Sequence, residues 1–540
     1  MRQNLMRLFL ILALSFLGFT GTANAGTVVA DSGFKVDVNG FSFPNYGDGD
    51  GAVNLDSNQM QLLFGNAVCL SGKGSRCVLT HAARAWMEEQ NTSMGGGHCY
   101  GFAVLANLIK KGQLPRFGYQ SIEAFGGGPN AFDLNFNNAK LQRAIARAWA
   151  FQTVPKVQNS WVTGTPEKIL QYLIRNLGGT GQESYAFNIF QPGFSQGHAI
   201  TPYAVEDMGA GIFHVRVYDN NWPGDAGRYL VIDRNRNKWS YYAATKPGEP
   251  GALYEGDAKT KTLQVSLATP GLGVQACSFC VGRRGANSKH NQISLASAAD
   301  RGAHLLITDQ KGRRTGFIDG RLVNQIPGAK VLPRTSGGPE PAADGGIENI
   351  GDSLEPTYLI PKNLELRIKV DGSGLDRIDR ESVTVVGPTF DATAEDLRVG
   401  PGRNAVLRLS PERQTLIVTE SGVKSNPSVT FGAQGEKASY RIEVSTPGAP
   451  ARSTFFFAKK VRYNLLQIGA KSKARQRYEV SILRYSAKGE ATFSRSYAIS
   501  GRQQAYLYYG PLASPKGVAK IAIGEPGQRR VKVLKVKRTE

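Results

Sequence analysis

Three residues of this chain, Cys99, His198 and Asp219, have types and surroundings that could carry out covalent chemistry. Cys99 stands in "GGGHCYGFAVL" (residues 95–105). Phe102, Leu105, Leu108 and Ile109 then recur at helical spacing until Gly112, so the pattern predicts a helix that begins at Cys99. Backbone N–H groups in a first helical turn lack partners and the helix dipole is positive there, conditions that favour a thiolate. The three glycines let the backbone pass close to a bound molecule. A buried cysteine is more often a packed core thiol than a nucleophile, so a base must be found before chemistry is assigned.

The candidate base is His198, in "GHAITPYAVEDMGAGIFHVRVYDNNWPG". Two apolar-rich strands, 198–205 and 212–219, flank the turn-like "EDMGAG". Antiparallel pairing about its midpoint sets Ile200 against Val217, Pro202 against Val215, Ala204 against Phe213 and His198 against Asp219. Opposed side chains have Cβ atoms about 5 Å apart, close enough for a carboxylate to fix the imidazole tautomer. A one-residue slip would bring Asn220 into that orienting role instead. His81, read within a helix with no opposed acid, and His214, on the other face of the hairpin, are weaker bases. His98 adjoins Cys99, but neighbours in a helix do not face each other.

These residues need a scaffold of helices and strands. Amphipathic helices are predicted at 78–89, 137–152 and 166–177, the last capped by Thr165 with Pro166 in its first position. From about Glu183 the pattern changes to strands, giving an α+β domain over 26–260. Beyond it the chain is nearly all short strands and turns, which predicts β-sandwich, immunoglobulin-like modules. The expected division is a β-rich module or connector at 261–335, a Pro-, Gly- and acid-rich linker at 336–356, and sandwich domains at 357–540.

Residues 1–25 read as a cleaved leader: Arg2 and Arg7, then an apolar run from Leu8 to Leu17, then Ala23-Asn24-Ala25. The expectation is an exported protein, periplasmic, cell-surface or extracellular, with no integral membrane segment in the mature chain. Five cysteines suit that compartment. Local bridges Cys69–Cys77 and Cys277–Cys280 would leave Cys99 alone. A lone C-x-x-C without a second ligand pair disfavours structural zinc, and the acidic "DGDG" (48–51) lacks the oxygens of a calcium loop, so neither metal nor cofactor is expected. A net charge of +22 points to anionic partners such as cell-envelope polymers, met through the basic C-terminal region "RRVKVLKVK" (529–537), rather than to nucleic acid.

A glycine before a helix-leading Cys and an aromatic, then "HA" opening a strand, then Asp or Asn closing the next, resembles the papain-like cysteine peptidases. Gly97, Cys99 and Tyr100 carry the first part, and "NNW" at 220–222 is similar to the family's Asn-Ser-Trp. The likeness covers roughly residues 60–245. It implies a papain-like fold and cleavage of amide bonds in a protein or peptide substrate. In that scheme Cys99 attacks, His198 moves the proton, and Asp219 or Asn220 orients the ring. The family's oxyanion glutamine would fall near Ser93, leaving Gln90 or Asn91 as the carboxamide donors. A transglutaminase or a cell-wall amidase is the alternative enzyme on the same fold. A catalytically inert surface-binding protein is the alternative from another class.

Overall fold

The computed structural model describes residues 26–539 apart from 48–50, 180, 195–196, 244–252, 281–288, 298–302, 336–338, 342–346, 351–354, 389, 421–424, 451–452, 472–473, 514–516 and 529–531. The leader read at 1–25 and most of the "DGDG" turn lie outside the described residues. A helical layer and a first antiparallel sheet are followed by two long antiparallel sheets. Among the described residues no helix is long and apolar enough to cross a membrane.

The helical layer contains α1 (Ser57–Phe64), α2 (His81–Ser93), α3 (Cys99–Lys110), α4 (Ala139–Ala150) and α5 (Pro166–Asn176). Side-chain caps start four of them: Asp56, Thr80, Asn138 and Thr165 each accept from a backbone N–H of the first turn. α3 and α4 touch backbone to backbone. A Cβ on Gly101 would lie 2.2 Å from the Ile145 carbonyl oxygen, so only glycine permits this crossing. Around it Phe102, Leu105, Leu141, Ile145 and Trp149 form a buried core that also takes in Phe34, Phe41 and Tyr46 from the N-terminal segment.

The first sheet contains β1 (Thr27–Asp31), β4 (Tyr185–Phe190), β5 (Gly197–Asp207), β6 (Ile212–Tyr218), β7 (Tyr229–Asp233), β8 (Lys238–Tyr242), β9 (Leu253–Asp257) and β10 (Leu263–Leu267); the small hairpin β2 (Cys69–Ser71) and β3 (Val78–Leu79) stands apart. Its order is β10-β4-β5-β6-β7-β8-β9, with β1 also on β5. The Gln191 amide donates to the Leu253 carbonyl at 3.0 Å, so the sheet curls until its β9 edge meets the end of β4. Ile169, Leu170 and Leu173 of α5 pack on Ile200, Val215 and Val217.

The first unit extends past residue 260, because β10 pairs with β4 and the Cys277–Cys280 disulfide is buried in the helical core beside Phe64 and Trp86. The stretch 261–335 is likewise no separate module. Its strand His290–Ser297 lies between Thr357–Pro361 and Asp379–Val386, and His304–Asp309 pairs with Leu366–Asp371. These strands enter the same ten- and eleven-stranded sheets as 357–539, which enclose one core running from Ile293 to Val536. Within 336–356, Pro339–Pro341 and Ile347–Ile350 form a two-stranded ladder. In the basic C-terminal stretch, Leu534 and Val536 turn inward, whereas Val533 stays 56% exposed and breaks the expected alternation.

Helix α2 joins the two units. The Trp86 indole donates to the Gln292 carboxamide, Arg441 pairs with Glu88 at 2.7 Å, and Ser439 donates to the Leu79 carbonyl. Arg334, fully buried, gives hydrogen bonds to Glu89 (2.8 Å), Ser93 (2.7 Å) and the Glu355 carbonyl.

Candidate active site

The chain reaches the site from four directions. α3 begins at Cys99 after Gly97, whose φ of 143° leaves the region open to most side chains, and His98 then caps the helix without a side-chain bond. The His98 ring instead bridges outward, from Nδ1 to the Tyr46 carbonyl and from Nε2 to Asn54, both at 2.7 Å, and burial lowers its pKa to about 4. β5 supplies His198, and the turn after β6 supplies Asp219 and Asn220. The N-terminal segment crosses between these walls: the Asn45 N–H donates to the Asn220 carbonyl at 2.8 Å, and Asn45 Oδ1 accepts from the His98 N–H at 2.6 Å.

Cys99, His198 and Asp219 come together, and all three are fully buried. Cys99 is the free cysteine; the other four form the Cys69–Cys77 and Cys277–Cys280 disulfides. His198 Nε2 lies 2.8 Å from Asp219 Oδ1. Its Nδ1 has no hydrogen-bond partner, and the Cys99 thiol is near enough to the ring to raise the imidazole pKa. Burial alone would lower that pKa, but the Asp219 charge and hydrogen bond, with a smaller contribution from Cys99, overcome it and push the value up to about 10. Burial works to raise the Asp219 pKa. His198 works against it, with help from Arg228 and Tyr241, and the carboxyl ends below its usual range.

The other oxygen of that carboxylate, Oδ2, accepts from the Tyr241 hydroxyl at 2.5 Å, and the Asn221 N–H donates to Oδ1 at 2.9 Å. Tyr241, on β8, was not singled out from the sequence. A strand tyrosine 22 residues from its acceptor carries no local signal, although a buried aspartate with one oxygen unaccounted for implies some donor. Tyr254 of β9 is also buried close to Cys99 and Asp219, with its phenol pKa raised by burial.

Several expectations are corrected. The hairpin pairs Thr201 with Tyr218 and Pro202 with Val217, two residues from the expected register, and a bulge at Tyr203 then sets Val205 against Val215. A slip of two keeps each side chain on its face, so His198 still meets Asp219, as a diagonal neighbour instead of the residue opposite. Asn220 does not orient the imidazole. Its amide donates to the carbonyls of Ala199 (2.8 Å) and Cys99 (3.2 Å), tying the helix start to the strand.

Neither expected oxyanion carboxamide is available. Asn91 is bonded at both ends to the Leu55 backbone, and the Gln90 amide is held by Glu89. His81 does have an acid partner, Asp391, on the far side of the interface. His214 lies outside, stacked on Tyr229. Among the described residues no group of three His, Cys, Asp or Glu side chains could hold a metal ion. The chain matches no protein-family model, no curated protein and no solved structure.

Proposed function

We propose that the protein is an exported papain-like cysteine hydrolase that cleaves amide bonds in a protein or peptide, carried by immunoglobulin-like β-sandwich modules. One observation carries the reading: a free cysteine at a helix start beside an imidazole whose far nitrogen is bound by a carboxylate. His198 Nδ1 takes the thiol proton, and Asp219 stabilises the imidazolium. The thiolate then attacks the carbonyl carbon, and the imidazolium returns its proton to the departing amine as the C–N bond breaks. A water deprotonated by His198 then opens the thioester and releases the acid. The oxyanion develops at the first turn of α3, where backbone N–H groups are unpaired and the helix dipole is positive. An amine in place of water would make the same site a transglutaminase, and a cell-wall peptide in place of protein would make it an amidase.

The complete burial of all three side chains favours a second reading, an inert domain in a binding protein. Alkylation by iodoacetamide across pH separates them. A rate that stays high well below the ordinary thiol value of about 8.5 supports the enzyme, provided that Cys99→Ala abolishes both labelling and peptide cleavage. A thiol that never labels in the folded protein overturns it.

A further inference from the structure

Outside the thiol site the molecule holds a cleft of about 990 Å³ between the Cys69–Cys77 loop and the turn that joins Gln476–Ser486 to Gly489–Ile499. Lys73 and Arg76 rise from the disulfide-closed loop on one wall, both exposed and in no ion pair among the described residues. Arg84 of α2 lies at the seam between the units, its guanidinium 3.3 Å above the Tyr485 ring and its Nε buried without a hydrogen-bond partner. Two acids share the lining. Asp56 is taken by Arg143 at 2.9 Å, which leaves Glu490 against three cations.

We propose that this cleft binds an anionic glycan, a sugar or polyol chain bearing carboxylate or phosphate groups. The volume lies near the upper end for ligand pockets, about 300–1,000 Å³, so it suits several linked units better than a single ion. Cations set along one wall, from the disulfide-closed loop to α2, suit charges repeated along a chain. A peptide is less well served, because the facing segments are turns closed on themselves. The Arg76 N–H donates to the Lys73 carbonyl, the Cys77 N–H to the Gly74 carbonyl, and Ser486 to the Gly489 carbonyl, so no open ladder is offered to a peptide backbone. The inference is independent of the thiol chemistry.

The test uses the full mature chain with four probes: oligogalacturonate, a glycerol-phosphate oligomer, poly-glutamate and inorganic phosphate. One or both glycans bind, weaken with added salt, and outcompete inorganic phosphate, and which of the two binds identifies carboxylate or phosphate as the anion. Lys73→Glu with Arg76→Glu loses tenfold or more in affinity, and Arg84→Met shifts it in the same direction. Lys532→Glu with Lys535→Glu, an equal charge change on the C-terminal strand, stays within twofold. The proposal is overturned if neither glycan binds, if the loop variant binds like the parent, if the C-terminal variant loses as much, or if poly-glutamate binds as tightly as the glycans.

Discussion

Among the described residues two histidines pair with aspartate, one pair fully buried and the other partly exposed at its imidazole, and their surroundings differ. His198 and Asp219 are sealed together with a free thiol, and the second carboxylate oxygen is held by a phenol. His81 and Asp391 lie across the seam between α2 and the ten-stranded sheet. There the carboxylate shares its charge with Lys459, and the surroundings include Thr430, Ser439 and Arg441 but no cysteine. Burial works to raise the Asp391 pKa, and His81 and Lys459 reverse it to leave the carboxyl below its usual range. A paired imidazole and carboxylate is therefore no signature of catalysis by itself. The third group at the free ring nitrogen separates a candidate relay from an interdomain clamp.

Matched substitutions break the comparison most sharply. Asp219→Asn lowers peptide cleavage by about 10³–10⁴-fold, because the imidazole loses its tautomer and its counter-charge. Asp391→Asn leaves kcat unchanged and instead removes about 1.5–3 kcal/mol of stability in a denaturant titration, since the His81 ring loses its charged partner. Equal losses of activity in both variants would end the distinction.

Tyr241→Phe sharpens the same contrast with a smaller effect. The lost hydrogen bond to a charged oxygen is worth about 1.5–3 kcal/mol. Because Tyr241 acts on Asp219 and not on substrate, the acid limb of the activity profile moves to higher pH, a shift that a purely structural role would not produce.

The smallest effect is a slope with pH. The raised His198 pKa stabilises the folded state fully below about 6.5, and this contribution is lost as pH climbs to about 10. The lowered Asp219 pKa contributes above about 3.9 and is lost as pH falls below that. The melting-temperature advantage of the parent over His198→Gln is expected to shrink steadily between pH 6.5 and 10; an advantage that grows instead contradicts the paired state.

Much of this was legible in the sequence because it is local. The helix start at Cys99 follows from apolar spacing after a glycine run, and the two disulfides close short loops. The hairpin was legible as an element but not in register, since Gly209 and Gly211 both take positive φ in its turn and the bulge at Tyr203 has no compositional mark. Gln90 and Asn91 fit the expected positions along the chain, yet their carboxamides are consumed by neighbours that spacing does not reveal. Arg334 sits in a stretch that reads as connector, and its partners come from α2 and from two segments of the sheet unit, at Leu295 and Glu355.

That arginine also bears on the order in which the protein assembles. Glu89 leaves the ribosome 245 residues ahead of the cation it pairs with, so the early part of the nascent chain carries an unmatched acid in what will become its interior. The helical half reaches its final packing only after the connector has arrived, and a fragment ending before Arg334 would be a poor substitute for the whole.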